Sequence, residues 1–524
     1  MKNVINRTYR KLSNTDLPFL IFLVGIINVK LYVKVFFLLF YLCYIAYKKY
    51  KLPKNRNGVI LFYFIMPVIG VIAPLLKYTS IDSVYWLGYF WGMASWIIAG
   101  IAFYLIYTTV VNSERRKILN TVDLFFALNI LVSIIQLVII MFMAHSIMPY
   151  WVWDSAEKFG TSTGDNLYGI SWNNSITNSA ISVIGIVYFL FNNKRNYAIA
   201  CTLILLLSTS NFLVFISLFL LALIFIFSNK VLRKNVFFVT LCLLLYPLLS
   251  PTNIKYIGTV YNKFVSKDSL NKKEIHPAPV SMNEDYSYIF HSSEAFGKYH
   301  ILLLKKLKFS SDHSKTKNPN LKLDPNLIKN YFYLLYGIQP KDAQLAGYSR
   351  SGKIYSLYLT AAFLGKDYKN LAFGAGTARF SSKQAIKMTG LGLQGNYPSN
   401  YVYASPEFFQ YHLYSLLYFL SQDISLHSII NFPDTVYNQI AGEYGLLGII
   451  AFIFLYIGYF WKYRKKYSYG LYLLILILLL FGLEYWFEMI SITVIFELLM
   501  LLDIFAPHNT NATSTPSNSI NASI

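Results

Sequence analysis

Arg350 and Arg379 are the only two arginines in the long hydrophilic stretch 251–432, where every other cation is a lysine. A guanidinium fork is planar, always charged and able to hold an oxyanion through two parallel hydrogen bonds, so each is a candidate for stabilising negative charge. The alternative use is a solvated surface charge or a contact to lipid headgroups. Lys383 and Lys387 share one helical face shortly afterwards and admit the same two readings. Gly374 and Gly376 bracket a turn whose backbone can reach conformations closed to other residues, which lets its amides approach a phosphate or makes the turn a hinge. Asp434 follows Pro433 where apolar sequence resumes; a carboxylate there can act as a general base or cap the helix that begins.

Glu443 lies inside an apolar run, where an unpaired charge costs about 2.5–3.5 kcal/mol or more, so it faces a polar cavity, is protonated or sits near the interface. Around it Gly442, Gly445 and Gly448 recur at three-residue steps that let a neighbouring helix come close. Glu484 and Glu488, one turn apart, supply a second possible base or a contact to hydroxyls, or simply a water-facing helix end. Trp153 and Trp172, in the connection 145–174 with Asp154, Glu157 and Asp165, offer aromatic faces for sugar rings, although such residues also anchor membrane interfaces. The eight histidines are scattered, nothing has metal-ligand spacing, and no P-loop, Rossmann fingerprint or H-E-x-x-H occurs, so no metal or other cofactor is expected.

The elements that must position these residues are membrane helices. With 56% apolar, 18% aromatic and only 13% charged residues, the chain has too little polar surface to cover a water-soluble globule. Apolar runs predict spans over 16–29, 31–47, 58–76, 84–110, 120–144, 175–192, 197–209, 211–228, 235–250, 433–461, 468–482 and 484–504. The expected fold is therefore an all-α integral membrane protein of about twelve transmembrane helices, with a large, partly helical external loop between helices 9 and 10. Its parts are an N-terminal membrane domain (1–250), the loop (251–432), a C-terminal membrane segment (433–504) and a disordered cytoplasmic tail (505–524). The N-terminal apolar run lacks a small-residue cleavage site and reads as a retained helix.

Placing the N-terminus in the cytoplasm brings Lys48-Lys49, Arg115-Arg116-Lys117, Lys194-Arg195, Arg233-Lys234 and Arg464-Lys465-Lys466 to one side, as the distribution of basic charge demands. Long loops escape that rule, and the net charge of +22 is thereby a matter of membrane topology and of the basic loop, with no nucleic acid expected. Cys43, Cys201 and Cys242 all lie in apolar runs and predict no bridge.

Three segments carry a resemblance. Arg350-Ser351-Gly352-Lys353-Ile354-Tyr355 followed by Phe373-Gly374-Ala375-Gly376-Thr377-Ala378-Arg379-Phe380 resembles an Arg-led helix and G-x-G-x-x-x-F turn. The run from Pro433 to Gly448 resembles a P-H-N-x-x-L-x-x-x-x-E-x-G-x-x-G block, and Gly169 to Ala180 and Leu206 to Asn211 add fainter likenesses. These are features of the O-antigen ligase/polymerase superfamily, membrane-embedded GT-C-type glycosyltransferases. Asp434 stands in the ligases' histidine slot and Asn211 in their arginine slot, departures that point to the polymerase branch.

The resemblance implies transfer of a growing glycan from undecaprenyl pyrophosphate to a hydroxyl of the next lipid-linked unit, at the periplasmic face of the bacterial inner membrane, with both termini cytoplasmic. In that reaction Arg350 and Arg379 would stabilise the diphosphate leaving group and Asp434 would be the base. Gly374, Gly376, Lys383, Glu443, Glu484, Glu488, Trp153 and Trp172 would contact substrate. The expected partners are undecaprenyl-pyrophosphate-linked oligosaccharide, membrane lipids, a chain-length regulator and a flippase. Ligation of finished glycan to lipid A core or protein is the same-fold alternative, and a flippase for lipid-linked oligosaccharide the alternative of another class.

Overall fold

The computed structural model describes residues 14–28, 30–52, 57–77, 83–147, 149–152, 166–172, 174–208, 211–245, 352–389, 401, 403–420 and 432–505. Among them the chain is helical, with no strand. Each apolar run read from the sequence forms a helix: α1 (Leu17–Ile26), α2 (Leu31–Tyr47), α3 (Gly58–Lys77), α4 (Ser83–Asn112), α5 (Arg115–Ala144), α6 (Ser175–Phe191), α7 (Arg195–Leu207), α8 (Asn211–Phe227) and α9 (Lys230–Leu243). The loop contributes α10 (Lys353–Gly365), α11 (Tyr368–Phe373), α12 (Lys383–Met388) and α13, whose pieces Pro406–Phe408 and Tyr414–Leu420 flank a π-helical turn at Phe409–Leu413. After it come α14 (Val436–Ala451, running on in helical form to Lys466), α15 (Gly470–Leu480), α16 (Trp486–Met489) and α17 (Ser491–Ile504).

Four helices, α3, α4, α5 and the 31-residue Val436–Lys466, are long and apolar enough to cross a membrane alone. Six further apolar helices are of 10–17 residues. Large apolar side chains such as Phe36, Phe142, Phe227 and Phe454 point outward, a distribution that suits lipid and not water. Inside, Phe62, Trp96, Phe452, Tyr456 and Phe487 form an aromatic cluster of edge-to-face, tilted and stacked pairs that joins α3, α4, α14 and α16.

The last apolar run is not one helix. Ile490 adopts a left-handed conformation (φ 64°) and separates α16 from α17. The carbonyl of Met489 at this break accepts a hydrogen bond from the Lys34 ammonium (2.6 Å), which also holds the carbonyl of Ile26 at the end of α1 (2.7 Å). At the other end of α17 the Asp503 carboxylate accepts from the amides of Ser468 (2.9 Å), Tyr469 (3.1 Å) and Gly470 (2.8 Å), supplying the first turn of α15 with acceptors it otherwise lacks.

The loop is seated on the bundle by the turn after α11. Pro74 has no N–H to give the carbonyl of Gly70 four residues before it, and Thr377 N–H donates to that carbonyl instead (3.2 Å). In α14 the chain turns out of helical geometry at Gly445 (φ 60°, ψ −154°), and the carbonyls just before the turn accept from the loop: Ala375 N–H to Gly442 (2.8 Å) and Gly376 N–H to Glu443 (2.9 Å). Both partners approach so closely that a side chain has no room. A Cβ at Gly445 would lie 2.6 Å from the nitrogen of Gly374, and one at Gly374 would lie 2.5 Å from the carbonyl carbon of Glu443. The glycine pattern around Glu443 therefore admits a loop turn, where the sequence suggested a neighbouring helix. Gly445→Ala combines a positive φ with a backbone clash and should lower stability by roughly 1–3 kcal/mol while exposing 352–389 to protease. Thermal unfolding in detergent with limited proteolysis checks this; unchanged values would show that the turn is not held by this contact.

Candidate functional site

The seated loop closes over the end of the bundle and brings Asp434 to its centre. The cap of α14 is Thr435, whose hydroxyl accepts from the Asn438 amide (2.9 Å), so the Asp434 carboxylate is not engaged as the helix cap. It is wholly buried, and its Oδ1 lies 3.4 Å from His412 Nε2 on the π turn of α13. The same nitrogen is 3.4 Å from the Ser381 hydroxyl, and His412 Nδ1 is 3.4 Å from that of Ser356. The Tyr485 hydroxyl lies beside both Asp434 and Ser381. Contacts of this length are weak hydrogen bonds, of the kind that tighten when an acid–base site is occupied. One face of α10 supports the group: Ser356 accepts from Asn438 Nδ2 (2.7 Å), and Thr360 donates to Asn438 Oδ1 (3.2 Å).

Cations and carboxylates surround this core. Lys353, the first residue of α10, donates to the carbonyls of Phe432 (3.1 Å), Asp434 (2.8 Å) and Leu483 (2.9 Å), tying together the two chain segments that carry Asp434 and Glu484. Burial pulls its ammonium down to about 8, against the opposing pull of Glu484 and Asp434. Lys383 is likewise lowered, first by burial and then by Lys387, with Glu484, Glu488 and Asp434 opposing. Glu488 accepts from the Lys383 amide (2.7 Å), and Glu443 accepts from the Phe380 amide (3.3 Å) while standing within charge–charge reach of Glu488. Four carboxylates and two lysines thus meet at one junction of loop and bundle, all six singled out from the sequence except Lys353.

Arg379 stands on the neighbouring wall. It is buried, pairs with Glu407 (3.3 Å) and lies over the rings of Tyr85 (5.2 Å) and Tyr403 (5.8 Å). Next to Glu407 a cleft of about 280 Å³ opens between α10, α11 and α13. Lys77, from the end of α3, donates to the carbonyl of Gly374 (2.5 Å) and lies over the Phe363 ring, behind the same wall.

Two expectations change. The amides of the Gly374–Gly376 turn are engaged, with Gly374 N–H on the carbonyl of Asn370 (2.8 Å) and the next two on α14, so the turn docks the loop and presents no amide cradle to a phosphate. Glu484 and Glu488 are buried, not at a water-facing helix end, and they flank the start of the separate α16 because the chain breaks at Ile490. Trp172 is 63% exposed, apart from the buried junction. Arg350 and Trp153 lie outside the described residues. His412, Ser356, Ser381, Tyr485, Lys34 and Glu407 were not picked out beforehand, since none has a spacing that links it to Asp434. Lys353 lies within the Arg350–Tyr355 motif, but one lysine among the many of the loop carries no signal of its own.

Among the described residues no group of three His, Cys, Asp or Glu side chains is placed to hold a metal ion. Comparison of the chain with protein-family models, curated proteins and solved structures finds no match.

Because the Lys353 value of about 8 lies below the ordinary 10.5, folding penalises its charged form. That penalty is complete below pH 8 and is relieved as pH rises from about 8 to 10.5, where the unfolded chain holds more protons than the folded one. Wild-type stability relative to Lys353→Met should therefore rise across that window. Denaturation midpoints measured for both proteins against pH test this, and a flat difference refutes the burial of a charged Lys353.

Proposed function

We propose that the chain is an O-antigen-polymerase-like glycosyltransferase of the bacterial inner membrane, joining repeat units carried on undecaprenyl pyrophosphate. The carrying observation is the buried Asp434 beside His412 and Tyr485, free of capping duty and surrounded by lysines, at the place where the loop meets the bundle. Glycosyl transfer needs a base to take the proton of an acceptor hydroxyl and fixed positive charge to receive a departing diphosphate. Asp434 takes the first role, with His412 as the group to which the proton can pass. Arg379 takes the second, assisted by Lys383, and Arg350, which the sequence resemblance puts forward, shares it. Glu484 and Glu488 keep the cations in place and offer acceptors to sugar hydroxyls.

In this reading the twelve apolar runs of the sequence all span the membrane, the shorter helices tilted or completed by flanking residues. Both termini are cytoplasmic and the loop 251–432 is periplasmic. Donor and acceptor are both lipid-linked oligosaccharides, presented from the bilayer beside the loop, and a flippase and a chain-length regulator work alongside.

Purified protein in lipid, supplied with lipid-linked repeat units, should yield a ladder of polymer. Asp434→Asn, which leaves the Thr435 cap intact, should reduce the rate by about 10²-fold or more, the usual contribution of a general base. A single shifted lipid or protein product would make the enzyme a ligase. Movement of the glycolipid across vesicles without any new glycosidic bond would make it a transporter, and an unaltered ladder in Asp434→Asn would remove that residue as the base.

A further inference from the structure

We infer that the cleft at the turn between α6 and α7, flanked by α9, binds the phosphodiester headgroup of an anionic membrane lipid. Asn193 adopts the left-handed conformation that asparagine tolerates (φ 54°), which ends α6 and leads the chain directly into α7. Beside this turn a cleft of about 420 Å³ is lined by Asn193, Lys194, Arg195, Asn196, Tyr197 and, from α9, Asn235. Asn193, Arg195, Asn196 and Tyr197 are exposed, so a ligand can reach them.

The charge here is of one sign. From 166 to 250 the sequence has five cations, Lys194, Arg195, Lys230, Arg233 and Lys234, and neither Asp nor Glu. Asp123 of α5, which reaches the turn, is paired with Lys194 and accepts from the Tyr188 hydroxyl (3.2 Å). Arg233 is spent on the end of α8, where it donates to the carbonyls of Phe225 (2.9 Å) and Ile226 (3.0 Å). Arg195 is not: its guanidinium lies over the Phe238 ring (5.0 Å), and among the described residues it meets no carboxylate. A ring face fixes a guanidinium without consuming its N–H groups, which stay available for two oxygens of a phosphate. Lys194 caps α7 without a side-chain acceptor, so the positive end of that helix adds to the field. The side-chain amides of Asn193, Asn196 and Asn235 make no hydrogen bond among the described residues and supply both donors and acceptors to a headgroup.

The cleft stands where apolar helices end, at the end of the bundle away from Asp434. Phe191, at the end of α6, packs on Tyr469 and Tyr472 at the start of α15 (ring centroids 6.3 and 5.3 Å). The Asp434 junction lies at the other end of α15, where Val436 N–H donates to the carbonyl of Phe481 (2.9 Å). Further along α9, Phe237 and Leu241 are exposed and offer a surface for acyl chains. Free phosphate shares the headgroup's chemistry, but that apolar surface favours a lipid. With Asp123 already paired, the cleft holds no carboxylate for the ammonium of a zwitterionic headgroup. The inference rests on the membrane reading of the apolar helices and on none of the glycosyltransferase chemistry.

Full-length protein in phosphatidylcholine nanodiscs, doped with phosphatidylglycerol that carries a photoreactive diazirine, tests the site by mapping crosslinks with mass spectrometry. Labelling is expected at 193–197 and 235–238, falling as unlabelled phosphatidylglycerol replaces phosphatidylcholine and unchanged by inorganic phosphate. Arg195→Gln should reduce it about tenfold, and Asn235→Ala, which keeps the charge, should reduce it several-fold. Lys465→Gln, which removes an exposed charge elsewhere, should label like the wild type. Equal labelling in Arg195→Gln and Asn235→Ala, or an equal loss in Lys465→Gln, overturns the site in favour of general attraction to a basic protein. Labelling abolished by inorganic phosphate overturns it in favour of a soluble anion.

Discussion

Backbone carbonyls left without a partner inside their own helices hold this molecule together. Pro74 releases Gly70 in α3, and the turn at Gly445 redirects Gly442 and Glu443 in α14. Three consecutive amides, those of Ala375, Gly376 and Thr377, take up these acceptors. Within a bilayer a free carbonyl has no water to turn to, and helix breaks persist only where protein groups satisfy them. Two lysines obey the same rule: Lys34 serves the ends of α1 and α16, and Lys353 serves the carbonyls of 432, 434 and 483. Helix breaks and loop docking are therefore one feature seen from two sides.

That docking creates the chemistry. Once the turn is seated on α14, Ser381, Lys383 and Arg379 follow it into the bundle end, and α10 arrives with Lys353 and Ser356. Asp434, Glu443, Glu484 and Glu488 would be intolerable in isolation at this depth, since burial of an unpaired carboxylate is costly. Collected beside lysines, backbone amides and His412, they form a polar interior in which small changes of charge are felt strongly because water does not screen them. Such a setting suits proton transfer coupled to the departure of an anion. The Arg379–Glu407 pair and the adjoining cleft lie on the neighbouring wall of this polar interior.

Much of the scaffold was legible beforehand. Hydropathy alone located most of the apolar helices in the described segments within a few residues, because a stretch that must satisfy its backbone in lipid has no other form available. The break at Ile490 has no turn signature in the sequence, and the Met489 carbonyl beside it is held by Lys34 on α2. Among site residues, Asp434, Glu443, Glu484 and Glu488 could be singled out because a charge in or beside apolar sequence is conspicuous, and Lys383 because it shares a helical face with Lys387. His412 could not, since a lone histidine among aromatics carries no spacing that connects it to an aspartate further along. The glycines at 374 and 376 were visible as a turn, yet the amides of Ala375 and Gly376 belong to α14, a fact that depends on a kink with no signature beyond glycine itself.

By itself the sequence determined which of the described segments are helical and apolar enough for lipid, since both follow from local hydrophobicity and from the need of each backbone group for a partner nearby. It also determined where the costly charges lie. Only the tertiary structure decided which charges meet, that Thr435 and not Asp434 caps α14, and that Lys353 rather than a glycine cradle organises the junction. Those outcomes turn on contacts between residues tens to hundreds of positions apart, made when helices break at particular carbonyls, and no local pattern encodes which distant donor will fill them.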